Sequence, residues 1–203
     1  MKKAPAAGQI TTLTPRRPSR SEAEDAVRTL IAWSGDNPAR KELERTPERV
    51  VDAFHEYFSG YGADASEQLT GTFDGPAAYT EMVLLKDIAF ESHCEHHIAP
   101  FFGVAHVAYL PEGRIVGLSR IARIVDIFAR RLQTQERLTC EIAGAIQSGL
   151  NARGVAVMMR ARHHCMAARG PHQPNVATVT YHFTGEFERD AALRERFLST
   201  LRD

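Results

Sequence analysis

The spacing of hydrophobic residues changes along the chain, and the first part follows a helical pattern. Ser21 and Glu24 resemble a capping box, and the apolar residues that follow at helical spacing predict a helix ending near Gly35. A second helix is predicted from Thr46 as N-cap, with a proline at the first helical position, to about Gly60. The sequence therefore predicts a helical N-terminal region.

From residue 82 onward the pattern alternates between strands and helices. The predicted elements are strands at 82–85, 104–110, 115–116, 155–159 and 176–183, two consecutive helices bounded by Ser119 and Gly154, and a last helix with Leu193 and Leu201 on its apolar face. Helices first, then antiparallel strands interrupted by a long helical pair, predict an α+β domain.

Length and composition narrow the class of protein. The 203 residues suit one domain, which we expect over 21–203 (21–80 helical, 81–203 core), after a flexible arm at 1–20 that lacks apolar periodicity. Lysine plus arginine equals aspartate plus glutamate at 25 each, so charge gives no reason to expect nucleic acid or an anionic membrane as partner. Three cysteines without a secretory or membrane-spanning apolar stretch predict reduced thiols and a cytoplasmic location.

Two short segments concentrate metal ligands and proton-transfer groups. Cys94, His97 and Cys165 would make a three-ligand zinc site with an open fourth position. His96 and His163 adjoin these residues and would suit acid–base catalysis. The alternatives are a structural four-ligand site completed by one of those two histidines, or buried cysteines beside surface histidines.

A second group of residues suits an anion. Ser119 opens a predicted helix whose first turns carry Arg120 and Arg123 on one face, near exposed N–H groups, which outlines a phosphate site. Arg169 would add a fork-shaped donor near the metal. The alternative is that these arginines are exposed or paired with carboxylates such as Asp126.

Gln135 and Glu136 lie at the break between the two central helices. A carboxylate there can accept hydrogen bonds from both N1–H and the exocyclic amine of guanine, whereas the alternative for Glu136 is helix capping. Cys140, within an apolar helical face, is predicted to be core.

Together these residues resemble one known family. The chain is similar to GTP cyclohydrolase I from about Thr46 to the C-terminus, in four ordered motifs: Ser92-His93-Cys94-Glu95-His96-His97 with Pro100-Phe101; Gly117-Leu118-Ser119-Arg120 through Asp126-Ile127-Phe128-Ala129-Arg130-Arg131; Gln135-Glu136-Arg137-Leu138-Thr139; and His163-His164-Cys165-Met166 with Arg169-Gly170. Arg120 and Asp52 stand where that family usually or often has lysine.

The resemblance implies a tunnelling fold, in which an antiparallel four-stranded sheet carries paired helices on one face, with the N-terminal helical region added. It also implies a homo-oligomeric ring that doubles into a decamer, with active sites between subunits. It assigns Cys94, His97 and Cys165 as the ligands of one zinc ion per subunit. It assigns His96, His163 and Ser119 to catalysis, with Ser119 at the ribose and phosphate region. The implied substrate residues are Glu136 and Gln135 at guanine, Arg123, Arg120, Arg169 and Arg49 at the triphosphate, and Leu118.

The implied reaction is the hydrolysis of GTP at guanine C8 by zinc-activated water, with release of formate. An Amadori rearrangement then gives 7,8-dihydroneopterin triphosphate, at the start of tetrahydrofolate and pterin synthesis, without a redox cofactor. Two other readings remain open: a related purine-ring hydrolase that stops at the formamide or uses another substrate, and a non-catalytic paralogue that binds zinc and nucleotide.

Overall fold

The computed structural model describes residues 16–74 and 79–202. Most of the predicted arm lies outside these residues. The chain divides into two compact units, one ending at Phe54 and the other beginning at His55. In the described residues no helix combines the length and apolarity needed to cross a bilayer.

The N-terminal unit contains α1 (Arg20–Trp33) and most of α2 (Thr46–Tyr57). The capping box of α1 is formed by Ser19 and Glu22, two residues earlier than predicted. The Ser19 hydroxyl accepts from the Glu22 N–H, and the Glu22 carboxylate accepts from the Ser19 N–H at 2.7 Å. The helix therefore begins at Arg20, which had been assigned to the predicted arm. The Arg20 guanidinium forms an ion pair with Asp52 on α2 at 2.7 Å.

The second unit is built on one five-stranded sheet. Its remaining elements, after two short 3-10 turns, are β1 (Thr72–Asp74), β2 (Val83–Cys94), β3 (Ala99–Leu110), β4 (Arg114–Val116), α3 (Leu118–Ala129), β5 (Leu132–Gln133), α4 (Gln135–Leu150), β6 (Gly154–His163), α5 (His164–Ala167), β7 (Thr178–Phe183), α6 (Glu186–Arg189) and α7 (Ala191–Thr200). The sheet order is β5-β2-β3-β6-β7, and only the two-residue β5 runs parallel to its neighbour. The predicted α+β class and its four antiparallel strands are confirmed.

Alternating side chains give the sheet two apolar faces. On β3, Val107 and Tyr109 join the main core with residues of α3 and α4, whereas Ala108 and Leu110 face a smaller core that includes Phe187 of α6 and Phe197 of α7. This follows from the two-residue period of a strand. The paired helices α3 and α4 thus cover one face, as the resemblance implied, and the C-terminal helices cover part of the other.

Several element boundaries differ from the sequence predictions. β2 continues through Cys94 because its last residues pair with the start of β3, so half of the cysteine-histidine motif is strand rather than loop. α3 begins at Leu118 with Gly117 as N-cap, which places Ser119 inside the helix. Cys140 is exposed on α4, not core, and its Sγ lies 3.4 Å from Nδ1 of His182.

Candidate active site

The turn between β2 and β3 holds two of the predicted metal ligands. Cys94 is the last residue of β2, and its carbonyl accepts hydrogen bonds from the N–H groups of His97 at 3.3 Å and Ile98 at 2.8 Å. Ile98 has a φ of 51°, a left-handed conformation that β-branched residues rarely adopt. The turn is therefore a constrained hairpin that fixes His97 next to Cys94.

The third ligand comes from the end of β6. The register of β3 with β6 pairs Phe101 with His163, and the single turn of α5 that follows carries Cys165. One ligand atom each from Cys94, His97 and Cys165 lie within 4.8 Å of one another, and both cysteines are free thiols. Two thiols and an imidazole at this separation could hold a metal ion.

Burial and a second thiol both affect the ionisation of Cys165. Burial and the neighbouring Cys94 thiol raise the pKa of Cys165, while the positive charge of Arg169 acts in the opposite direction. Two adjacent thiols cannot both ionise easily unless a cation compensates them, and a bound metal ion would do so. The geometry of two thiols and an imidazole within 4.8 Å of one another therefore fits a metal ion.

The two predicted catalytic histidines have different surroundings. His96 is exposed, with Nδ1 3.7 Å from Sγ of Cys94. His163 is half-buried and stacked on Phe101, with ring centroids 4.4 Å apart and planes 4° from parallel. Burial lowers the pKa of His163, and the nearby Glu136 carboxylate acts against that shift. Burial thus favours the neutral form of an imidazole whose plane is held by stacking.

Gln135, predicted to hold guanine together with Glu136, has a buried side chain in the structure. The side chain is 1% exposed, and its Oε1 lies 2.8 Å from Nε2 of His163. Glu136, the next residue, is exposed in the first turn of α4, where Thr134 provides the N-cap. Of this predicted pair, only the Glu136 side chain is open to a ligand.

An ion pair connects the turn between β2 and β3 to α4. Arg137 donates to the Glu95 carboxylate, and the Glu95 N–H donates to the Gln133 carbonyl at 3.0 Å. Sequence reasoning gave no role to Arg137 or Phe101. Both residues lie within the motifs that carry the family resemblance, but their contacts join segments distant in sequence, so the motifs alone did not show what they do.

The predicted anion group surrounds a polar cavity of about 460 Å³ at the start of α3. Ser119, Arg120 and Arg123 line it together with Glu67, Gln68 and Thr70 of the preceding segment. We call this the arginine cavity. The guanidinium of Arg120 donates to the Gln68 carbonyl at 3.1 Å, so it is anchored, whereas Arg123 is exposed.

Glycine at position 71 is what leaves room for Arg120. A Cβ on Gly71 would lie 2.2 Å from Nη2 of Arg120.

Asp126 was the alternative partner predicted for the arginines of this cavity. In the structure it pairs instead with Arg130 at 2.9 Å.

The predicted metal ligands and the arginine cavity lie at opposite ends of α3. The C-terminal end of this helix leads into β5, where Gln133 pairs with Cys94. Ser119 and Ala129 are ten residues apart, which corresponds to about 15 Å of helix axis. One chain therefore does not bring the two predicted groups into a single pocket.

The remaining predicted substrate residues are Arg169, Leu118 and Arg49. Arg169 is exposed and acts electrostatically on Cys165. Leu118 lines an apolar cavity of about 370 Å³ with Tyr79 and Tyr109. Arg49 lies on α2 in the N-terminal unit.

Comparison with known proteins identifies the family. The sequence model described as GTP cyclohydrolase I matches residues 23–202. A protein named GTP cyclohydrolase 1 from Maricaulis maris (strain MCS10) is 53% identical over 197 residues, covering 97% of this chain and 96% of that protein. This chain belongs to the GTP cyclohydrolase I family.

Other family members are equally similar. Proteins of the same name from Hyphomonas neptunium (strain ATCC 15444) and Brucella abortus (strain S19) are each 54% identical, covering 91% and 92% of this chain and 89% and 88% of those proteins. Among solved structures, the archaeosine synthase QueF-Like in the apo form has a TM-score of 0.43 at 19% identity, covering 53% of this chain and 97% of that chain.

Proposed function

We propose that this protein hydrolyses GTP at guanine C8, releases formate and forms 7,8-dihydroneopterin triphosphate. The observation that carries the proposal is the set of three soft donors, Cys94, His97 and Cys165, within 4.8 Å of one another beside the half-buried His163. These donors would hold one zinc ion per subunit, with the fourth position left for water or substrate. Reduced thiols in this role suit the cytoplasm.

The two histidines divide the proton transfers of the reaction. A bound zinc ion supplies a Lewis acid that makes water nucleophilic at neutral pH. The neutral imidazole of His163 can take up a proton and return it to a ring nitrogen as a C–N bond breaks. His96, exposed beside Cys94, is placed to exchange protons with solvent during the later ribose opening and rearrangement.

Guanine is recognised by the first turn of α4. The Glu136 carboxylate, close enough to affect the pKa of His163, would accept from N1–H and the exocyclic amine of the base. The backbone N–H of Gln135, the first helical residue, has no intrahelical acceptor and suits the guanine carbonyl oxygen. Specificity for guanine over adenine follows, because adenine carries a donor where guanine carries its carbonyl oxygen.

The triphosphate is bound by positive charge at the start of α3. Arg120, Arg123 and the hydroxyl of Ser119 share the arginine cavity, near the positive end of the helix dipole. Arg169 supplies a further guanidinium beside the metal ligands. Arg49 would reach the phosphates from a neighbouring subunit.

A complete active site requires more than one copy of the chain. Because the arginine cavity and the metal ligands lie at opposite ends of α3, one GTP would contact the metal end of one subunit and the arginine cavity of another. The edge strand β7 exposes Val179 and Tyr181 at 40% and 49%, and Phe102 on β3 is 44% exposed. These apolar surfaces support a homo-oligomer, and we propose the decamer of the family.

The direct test is incubation of zinc-loaded protein with GTP, following formate and the pterin product by absorbance and mass spectrometry. We expect both products, and their loss after chelation. Accumulation of a formamide intermediate would instead identify a related purine hydrolase. Tight GTP binding with neither product would identify a non-catalytic paralogue.

His163→Ala separates catalysis from binding. We expect a loss of formate release of roughly 10²-fold or more, with zinc content unchanged, because the variant removes an acid–base group and no ligand. The matched control is His164→Ala, which changes the adjacent exposed histidine and should keep full activity. Unchanged turnover in His163→Ala would contradict the assigned role.

A further inference from the structure

We infer that Gln135 is a positioning residue that holds His163 in the Nε2–H tautomer and leaves Nδ1 as the proton acceptor. The inference rests on the proposed function and deepens it, since it states at which atom His163 exchanges a proton. It also gives the buried Gln135 side chain a role other than contact with guanine.

The orientation of the Gln135 amide is fixed by its surroundings. Its Nε2 lies 3.1 Å from the Met159 carbonyl, 3.1 Å from the Thr178 carbonyl and 3.1 Å from the Thr180 hydroxyl. Carbonyl oxygens only accept, so the NH₂ group must face them. A flipped amide would set an oxygen against two oxygens in a buried site, which costs about 1–3 kcal/mol for each lost bond.

The hydroxyl groups of Thr139 and Thr180 independently fix the same orientation of the Gln135 amide. The Thr139 hydroxyl donates its one proton to the backbone carbonyl of Gln135 at 2.7 Å. The 2.7 Å contact between the Thr139 and Thr180 hydroxyls must then be a bond that Thr180 donates. Thr180 has only lone pairs left for Gln135, so it accepts from the amide as the two carbonyls do.

The amide oxygen of Gln135 determines the tautomer of His163. Oε1 of Gln135 can only accept, and it lies 2.8 Å from Nε2 of His163, so Nε2 must carry a hydrogen. In a neutral imidazole the other nitrogen, Nδ1, then has the free lone pair. Stacking on Phe101 holds the plane of the ring, so both the tautomer and the direction of Nδ1 are set before substrate binds.

The tautomer can be read directly by NMR of protein with ¹⁵N-labelled histidine, without GTP. We expect His163 to show a protonated Nε2 and an unprotonated Nδ1. In Gln135→Met, which keeps the length of the side chain but removes the acceptor, that pattern should be lost or mixed. Thr180→Val removes one of the three groups that orient the amide and should give a partial shift if Gln135→Met does not fold.

Gln147→Met is the matched control. Gln147 lies on the same helix, twelve residues further on and about 18 Å away along the axis. Its amide is also engaged, donating to the Ala152 carbonyl and accepting from the Thr184 hydroxyl at 2.7 Å. This variant should lose a similar hydrogen-bond network while the His163 signals stay unchanged.

Kinetics distinguish positioning from guanine contact. A positioning role predicts that Gln135→Met lowers kcat roughly 10- to 100-fold, with KM for GTP within about twofold and zinc content unchanged. A raised KM with unchanged kcat would overturn the inference in favour of guanine contact. An Nδ1–H pattern in the unmodified protein, or an unaltered pattern in Gln135→Met, would overturn it whatever the activity. If the unmodified protein releases no formate, the proposed function fails while the NMR result still decides the tautomer.

Discussion

The predicted metal site of Cys94, His97 and Cys165 with the neighbouring His163, here called the metal end, and the arginine cavity are built by different physical means. Cys94 is 6% exposed and Gln135 1%, and the side chains around them are fixed by strand register, a constrained hairpin and buried hydrogen bonds. The arginine cavity is lined by exposed or half-exposed polar side chains on the first turns of α3, of which Arg120 is anchored to a backbone carbonyl. Bond-breaking chemistry needs fixed atoms, whereas a flexible triphosphate can be bound by adaptable charges.

The two groups differ in construction as well as in position, since they lie at opposite ends of α3. The geometry at the metal end follows from the sheet within one chain, whereas the proposed function has the arginine cavity act on substrate held by another subunit. We therefore expect changes at the metal end to abolish the reaction, and changes at the arginine cavity to weaken substrate binding.

The largest expected effect is at the metal end. Cys165→Ala should lose zinc and reduce formate release by roughly 10³-fold or more, since it removes one of three protein ligands. Atomic absorption and the formate assay measure the two losses. The control is Cys140→Ala, which changes the exposed third cysteine and should keep both zinc and activity. Stoichiometric zinc with full activity in Cys165→Ala would refute the ligand assignment.

At the arginine cavity, Arg123→Ala should raise KM for GTP and lower kcat/KM roughly 10- to 100-fold, which corresponds to the loss of one or two charged hydrogen bonds. Zinc content should not change. Arg189→Ala, an exposed arginine at the end of α6, is the control for general loss of positive charge. A fall in kcat with unchanged KM would mean that Arg123 acts in the chemical step.

Gly71→Ala should give a smaller effect at the same cavity. The added Cβ would lie 2.2 Å from Nη2 of Arg120, so the guanidinium must move away from its anchor on the Gln68 carbonyl. We expect a rise of a few fold in KM for GTP, measured at constant zinc content. Gly62→Ala, where a Cβ meets nothing within 4 Å, should leave KM unchanged, and equal effects of the two variants would argue against an anchored Arg120.

The smallest expected effect is on stability, and it concerns His106, which lies outside both the metal end and the arginine cavity. His106 is 6% exposed and accepts from the Asp87 N–H at 3.2 Å, at the β-bulge of β2. Burial lowers the pKa of His106, so its neutral form contributes stability above pH 6.5 that is lost as the pH falls through the folded-state pKa.

Urea unfolding of metal-free protein between pH 7.5 and pH 5 measures this contribution. His106→Gln keeps an acceptor for the Asp87 N–H and should make the free energy of unfolding less sensitive to acid. An unchanged dependence on pH would show that other groups cause the loss of stability.

Much of the fold could be predicted from sequence because the apolar period is local. The pairing of helices between Ser119 and Gly154 and the strands around them were indicated by their spacing, and the α+β class followed. The boundary of β2 could not be predicted, because Cys94 is held in the strand by its pairing with Ala99 on another strand. The exposure of Cys140 was missed for a similar reason: its helix face looked apolar, and only the packing shows which part of it is covered.

By itself, the sequence determined the donor types, the family and the set of residues that can do the chemistry, since these depend on side-chain identity and local spacing. The sequence also predicted that Cys165 shares a site with Cys94 and His97, and the structure brings their ligand atoms within 4.8 Å of one another. Only the tertiary structure decided that the Gln135 side chain is buried against His163, and that the arginine cavity lies at the other end of α3. The physical reason is that strand register and helix placement are set by contacts between distant segments, and residue spacing along the chain does not encode them.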